Sequence, residues 1–302
     1  MDFLQPRSWE EALAAKAEHP EAQPIAGGTD VMVELNFDRG RPEAVLDLTR
    51  VPELAEWRRD NGWLRVGAGV TYTRVIAELA GDLPGLAIAS RTVGSPQIRN
   101  RGTVGGNLGS ASPAGDAHPP LLAAGAEVEA ASVGGTRRIP VAEFFAGPKR
   151  HVLRPDELIA AFHVPPAPGP QQFAKVGTRN AMVIAVCSFA LALDPGRRTV
   201  RTGIGSAGPT PLAAGEAERF LEGVLADEGA WESRAPVGDA ALRRFGELAG
   251  RAAQPIDDVR GTAAYRVHAL GVLARRTLAW AWEEYTSQDP GGATVRRSCT
   301  CA

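Results

Sequence analysis

The sequence predicts an α+β fold in two parts, and three observations lead there. Residues 165–172, PPAPGPQQ, hold four prolines in eight positions, which marks a linker. After it come three strand-like runs and then helix-like runs, the order of an α+β domain and not of a doubly wound sheet. Before it, short strands alternate with short helices and stop at glycine pairs, so the first part is mixed as well. The boundaries that follow are 1–166 and 172–286. Residues 287–302 are small, polar and glycine-rich and read as a disordered tail.

In chain order, Ser8 with Glu11 three residues on forms a capping box for a helix to about His19. QPIA (23–26) is a short strand that stops at Gly27-Gly28. AVLDL (44–48) and WLRVGAGV (63–70) are two more. Thr71 caps YTRVIAELA, and GLAIASRTVG (85–94) is a helix ahead of a glycine-rich loop, TVGGNLGSASPAGD (103–116). AHPPLLAAG reads as a short helix, AEVEAAS as a strand, VGG (133–135) as a tight turn into TRRIP, and ELIAAFHVP (157–165) as the strand that closes the first part. Beyond the linker, QFAKVGTR, VIAVCSFALAL and RTVRTGIGSAG are strands joined by short turns such as DPGR. Helices follow at about 212–226, 239–253 and 261–285. The last repeats Val267, Leu270, Leu273, Ala274 and Leu278 at helical spacing.

Composition excludes several classes. A net charge of −2 in 302 residues, with no basic stripe, argues against nucleic acid. The N-terminus lacks the basic-then-apolar pattern of a signal peptide, and no apolar run nears the ~20 residues that span a bilayer. The expectation is a soluble, cytoplasmic protein without a membrane partner. Three cysteines, Cys187, Cys299 and Cys301, cannot build a disulfide framework and are too few for an iron–sulfur cluster with its four ligands. SCTCA has the spacing C-x-C, not C-x-x-C. Five histidines show no metal-binding spacing.

Three glycine-bearing stretches could hold a ligand. In PIAGGTDV (24–31) a strand ends in two glycines, which lets successive backbone N–H groups converge on an anion such as a pyrophosphate; a tight turn after a strand reads the same way. In TVGGNLGSASPAGD, Gly105 and Gly106 permit close backbone approach, Thr103 and Asn107 add hydrogen-bonding groups, and Asp116 could accept from ribose hydroxyls. The two loops lie about 78 residues apart and could clamp opposite sides of one dinucleotide. GIGSAG (203–208) is formally G-x-G-x-x-G, but Pro209 and Pro211 follow at once where a Rossmann site needs a helix. Lys175 and Arg179, four apart on an expected strand, would share a face that meets either an anion or solvent.

AGGTDV followed by TVGGNLGSASPAGD resembles the flavin subunit of the molybdenum hydroxylases, the family of the xanthine and carbon monoxide dehydrogenases. LRPDELI (153–159), FAKVGTRNAMVIAVCSFAL (173–191), GIGSAGPTPLAAGEAE (203–218) and PIDDVRGTAAYRVHALGVLARR (255–276) resemble it too, in the same order, so the likeness covers nearly the whole chain. It implies non-covalent FAD in a two-subdomain FAD-binding domain of the vanillyl-alcohol oxidase type, with a break near 55, followed by a C-terminal domain of antiparallel sheet plus helices. By the family's pattern Pro24, Ile25, Ala26, Gly27, Gly28, Thr29, Asp30 and Val31 would wrap the pyrophosphate. Thr103, Gly106, Asn107 and Asp116 would hold pyrophosphate, ribose and neighbouring parts. Leu153 and Lys175 would lie near the flavin ring, where a cation would stabilise the anionic reduced form; no side chain is implied as a catalytic nucleophile.

The implied role is electron transfer. An iron–sulfur partner with [2Fe-2S] clusters would deliver electrons from a third chain carrying the molybdenum cofactor, and the flavin subunit would pass them to NAD⁺ or another acceptor. Some carbon monoxide dehydrogenase members have histidine where Thr29 stands, and another branch has a cysteine-rich insertion missing here. Both features lean toward a xanthine dehydrogenase-like enzyme acting on purines. AMVIA follows Arg179 without the acid that many relatives carry nearby. The competing readings are a hydroxylase subunit for carbon monoxide, an aldehyde or an N-heterocycle; a self-contained FAD-dependent oxidase; and a module that kept the fold without its cofactor.

Overall fold

The structure, a computed structural model, describes residues 1–38 and 40–287. Cys299, Cys301 and the expected tail after Ser287 lie outside the described residues.

The chain begins with a small parallel sheet. Strands β1 (Asp2–Leu4), β2 (Gln23–Ile25) and β3 (Ala44–Asp47) pair in the order β1-β3-β2. Pro24, which cannot donate to a ladder, sits on an edge strand, where it is tolerated. Helix α1 (Trp9–Glu18) covers this sheet. Ser8 Oγ accepts from Glu11 N, while the Glu11 carboxylate accepts from Arg7 N, one residue before the cap position a capping box would use. The buried Lys16 donates to the Pro20 and Ala22 carbonyls, both at 2.7 Å, and so fixes the turn that feeds β2. Past β2 the chain turns through two glycines into α2 (Val31–Asn36), a helix the sequence pattern did not announce.

The second sheet is antiparallel. It is built from β4 (Trp57–Asp60), β5 (Trp63–Gly67), β6 (Glu127–Ser132), β7 (Gly135–Pro140) and a closing strand, Leu158–Val164, in the order β4-β5-closing strand-β6-β7. Leu64, Val66, Val128, Ala130, Phe162 and Val164 face one core, alternating with polar residues as a half-covered sheet requires. Five short helices lie between β5 and β6: α3 (Tyr72–Glu78), α4 (Pro84–Arg91), α5 (Pro96–Arg101), α6 (Val104–Ser110) and α7 (His118–Ala123). The turn α8 (Val141–Phe144) and the two-stranded hairpin β8 (Phe145–Gly147) and β9 (Arg150–His151) precede the closing strand, β10. The expected strand at 63–70 ends at Gly67, because Gly67 and Gly69 turn the backbone onto the Glu56 and Leu54 carbonyls.

After the prolines, β11 (Gln171–Val176), β12 (Cys187–Asp194) and β13 (Thr199–Gly205) form an antiparallel sheet. Helices α9 (Gly215–Asp227), α10 (Ala230–Ser233), α11 (Asp239–Arg251) and α12 (Ala263–Ser287) pack on one face of it, through Phe189, Leu191, Leu193, Leu221, Phe245, Leu270 and Leu278. Val267, counted in the apolar stripe of α12, lies at its rim and is 38% exposed. Buried Arg266 ties α12 to the sheet by donating to the Val186 carbonyl at 3.0 Å, the Ser206 carbonyl and Asp258 Oδ1 at 2.6 Å. The strand expected through Arg179 stops at Val176, so Arg179 does not share a strand face with Lys175; its guanidinium turns back onto the Ala181 and Met182 carbonyls. Among the described residues no helix is long and apolar enough to cross a membrane.

The other face of this sheet lies on α4 and α7, and glycines make the fit. A Cβ on Gly203 would stand 2.1 Å from the Pro119 carbonyl oxygen, and one on Gly205 would stand 2.7 Å from the Pro119 ring. Ala89, Ala123, Phe173 and Ala190 fill the seam. Gly203 and Gly205 of GIGSAG therefore serve close packing between the two parts, while Gly208 lies against Leu212 of its own part. The strand that carries them runs on into Pro209 and Pro211, not into a helix.

Candidate functional site

The first loop leaves the carboxyl end of β2, where parallel sheets place their ligands. Gly28 has φ +74°, a conformation that costs other residues strain. Among the described residues no acceptor is found for the backbone N–H groups of Gly27, Gly28, Thr29, Asp30 and Val31. Five successive unpaired donors in a turning backbone form a concavity for an anion. Gly27 also makes a close main-chain contact. A Cβ there would be 2.0 Å from the Arg101 carbonyl oxygen and 2.9 Å from Gly102 N. That glycine lets the first loop touch the second.

The first half of the second stretch is a helix, α6 (Val104–Ser110), and only its second half is a loop. Thr103 caps α6, its hydroxyl accepting from Gly106 N at 2.9 Å. Three glycines within seven residues disfavour a helix by propensity. Packing overrides this: a Cβ on Gly105 would be 2.5 Å from Ala68, so only glycine lets α6 seat on the end of β5. Around it, Thr71 bridges Thr103, Tyr72 N donates to the Gly102 carbonyl, and Val104 N reaches the Val70 carbonyl. Gly106 is less confined: a Cβ there would press on Thr103 Oγ1 alone, at 3.0 Å.

Asn107 is held to the segment just after Asp116 by a residue the sequence reading passed over. His118 is fully buried, and its Nε2–H donates to the Asn107 carbonyl at 3.0 Å. The Asn107 carboxamide oxygen accepts from Ala117 N at 3.3 Å. Burial pushes the imidazole down to about 4, against the carbonyls of Asn107 and Ser112, so it is neutral at pH 7. Its ring fills the space where a Cβ of Gly115 would lie, at 2.3 Å. The sequence signal was a histidine two residues after the acid, and only the fold gives it meaning.

Asp116 is paired with Lys175 across the seam between the two parts, Oδ2 to Nζ at 2.6 Å. Burial raises the carboxyl to about 6 even though Lys175 pulls it down. Its other oxygen, Oδ1, is buried without a partner, as is the hydroxyl of Tyr72. Burial and the carboxylates of Asp116 and Asp30 raise the Tyr72 phenol well above its ordinary value. Pro24 and Ile25 hold the loop in the sheet against Leu46 and Asp47. Ala26 lies half-buried between that sheet and Gly27. Leu153 packs half-buried against the core of the second sheet, just past β9. The hairpin before it is tied to the second stretch by Lys149 N to the Ala111 carbonyl and to α2 by the Lys149–Glu34 ion pair.

A groove of about 540 Å³ lies elsewhere, over the polar face of the second sheet, and none of the residues above line it. Its buried charges satisfy one another: Glu129 accepts from Arg65 in bidentate fashion and from His163.

Residues 1–167 match the FAD binding domain in molybdopterin dehydrogenase, and residues 172–281 match the CO dehydrogenase flavoprotein C-terminal domain. The chain is 30% identical over 279 residues to the putative xanthine dehydrogenase FAD-binding subunit of Escherichia coli (strain K12), covering 89% of this chain and 91% of that one. It is 35% identical over 234 residues to caffeine dehydrogenase subunit beta of Pseudomonas sp. (strain CBB1), covering 74% and 78%. Among solved structures it superposes on carbon monoxide dehydrogenase from Hydrogenophaga pseudoflava, which lacks the Mo-pyranopterin moiety of the molybdenum cofactor in that structure, with a TM-score of 0.85 and 26% identity over 94% of this chain and 98% of that one.

Proposed function

The chain belongs to the FAD-binding flavoprotein subunits of the molybdenum hydroxylases, a family of oxidoreductases, and from that membership we propose that it carries electrons for purine oxidation. In this reading the substrate is oxidised at the molybdenum cofactor on one partner chain. Electrons pass through iron–sulfur clusters on a second and leave this subunit for NAD⁺ or another acceptor. FAD, when bound, supplies the step between single-electron delivery and two-electron release.

The observation that carries the reading is the donor arc from Gly27 to Val31, set against the Thr103-capped helix by the Gly27–Arg101 contact. Five N–H groups without protein acceptors fit a pyrophosphate. Pro24, Ile25 and Ala26 hold that arc in the sheet, while Thr103, Gly106 and Asn107 form its opposite wall. Asp116 Oδ1 is an acceptor that awaits a donor, which suits a ribose hydroxyl or a ring N–H. Leu153 and Lys175 belong to the flavin end. Cys187 is buried, and burial pushes its thiol up to about 12.

Two relatives named for purines, the xanthine and caffeine enzymes, support this reading, beside others named for nicotinate, nicotine and carbon monoxide. The test is affinity purification of the tagged chain from its own cells. Molybdenum and iron in the eluate, with NAD⁺ reduced on addition of xanthine, support the reading. Molybdenum and iron without turnover of xanthine or hypoxanthine move the substrate to another class. A chain that elutes alone with FAD and oxidises a substrate by itself favours the self-contained oxidase.

A further inference from the structure

Lys175 sits on β11, in the second part of the chain, yet two of its three acceptors belong to the first. Its Nζ donates to the Thr92 carbonyl at 2.9 Å, to Asp116 Oδ2 at 2.6 Å and to the Val183 carbonyl at 3.2 Å. An ammonium group has three N–H bonds, and these acceptors take all of them. The side chain is 8% exposed and that of Asp116 is 10% exposed. Within the Lys175–Asp116 pair the acceptor still open is Asp116 Oδ1.

We propose that Lys175 is a positioning residue: it straps the second part of the chain to the first and holds Asp116 as an ionised carboxylate whose Oδ1 receives a donor of the FAD. The proposal rests on the FAD reading above. Its physical basis is the cost of burying a lone carboxylate. Such a group takes up a proton unless a cation faces it, and a protonated Asp116 would offer a donor where an acceptor is needed. The other groups around Asp116 cannot replace Lys175. Tyr72, from α3, stays protonated, and Asp30, from the first loop, carries the same sign. His118, from α7, is neutral because burial holds it down to about 4. The Thr92 and Val183 carbonyls explain why the ammonium stays fixed: they span the seam and aim Nζ at Oδ2.

The arrangement separates two ways in which losing Lys175 could weaken FAD binding. A residue that touches the cofactor contributes independently of Asp116, so the two losses multiply. A residue that acts through Asp116 contributes nothing once Asp116 is gone. The experiment is FAD titration of the full chain by flavin fluorescence between about pH 5 and 9, with wild type, Lys175→Met, Asp116→Asn and the double variant. Thermal melts of the apo forms run alongside as a check on folding.

Wild type is expected to bind more tightly as pH rises through about 6, where Asp116 ionises. Lys175→Met is expected to weaken binding at pH 7 by roughly ten-fold and to move that midpoint upward by about one pH unit or more. Asp116→Asn flattens the profile, and the double variant binds within about two-fold of Asp116→Asn. Losses that multiply in the double variant, with an unmoved midpoint in Lys175→Met, overturn the proposal. Should Lys175→Met fail to fold, the profile of Asp116→Asn decides: a flat one supports the assignment of the titrating group, and a surviving midpoint near 6 overturns it. Wild type that binds no FAD at any pH defeats the underlying reading itself, a result distinct from either.

Discussion

Gly27→Ala puts the contact between the two loops to the test. The added Cβ would stand 2.0 Å from the Arg101 carbonyl oxygen, 2.5 Å from its carbon and 2.9 Å from Gly102 N. All three are main-chain atoms, so no side chain can swing aside, and the loops must part by more than an ångström to reach ordinary van der Waals distance. Overpacking of this kind costs about 1–3 kcal/mol, and in a chain of this size each kcal/mol lowers Tm by roughly 2–4 °C. The parted loop also misaims its donors. Losing one or two hydrogen bonds to a charged group costs about 1.5–3 kcal/mol each, which is roughly 10–100-fold or more in FAD affinity. Gly106→Ala is the control, because its Cβ meets Thr103 Oγ1 alone, at 3.0 Å. Apo stability should stay within about 1 kcal/mol there, since alanine gains helix propensity over glycine. Melts of the two apo proteins and FAD titrations read both effects. Gly27→Ala with unchanged melting and unchanged FAD affinity refutes the idea that this glycine joins the loops.

Two further outcomes follow from the same contacts. His118 is buried neutral, with its pKa lowered to about 4 from 6.5, so the unfolded chain binds the extra proton between those values and stability falls as pH drops from about 6.5 toward 4; His118→Gln should remove a contribution on the order of 3 kcal/mol from that acid slope, and a slope identical to wild type in denaturant titrations would count against it. Gly203→Ala drives a Cβ to 2.1 Å from the Pro119 carbonyl oxygen, so it should loosen the seam by about 1–3 kcal/mol and raise protease sensitivity near the 165–172 linker, whereas an unaltered cleavage pattern would contradict the packing role.

Local signals survived translation into structure where the physics was local. Ser8 and Thr71 cap the helices their spacing announced, because an N-cap needs only its own next turn. The three strands after the prolines and the long helices behind them were legible as elements, though the first strand ends at Val176, the second begins only at Cys187, and the short α10 was not announced. Long-range pairing was not. Nothing in the neighbourhood of Asp116 points to Lys175, 59 residues on, and an ion pair that closes only when two sheets dock leaves no periodic trace. Helix α6 was hidden for a related reason: its glycines argue against a helix until Ala68 is known to press on Gly105. Strand β4 and hairpin β8–β9, four residues long or less, fall below the length at which alternation can be told from chance. His118 and Tyr72, the buried polar groups around Asp116, carry meaning only through what surrounds them.

The most direct test of the account is a titration of the purified apo chain with FAD, followed by absorbance and flavin fluorescence. The account predicts saturable binding at one FAD per chain with a perturbed flavin spectrum, weakened when the donor arc is disturbed by Gly27→Ala. A chain that leaves the flavin spectrum unchanged at every concentration would contradict it, because the unpaired donors from Gly27 to Val31 and the open Asp116 Oδ1 would then have no ligand to answer them.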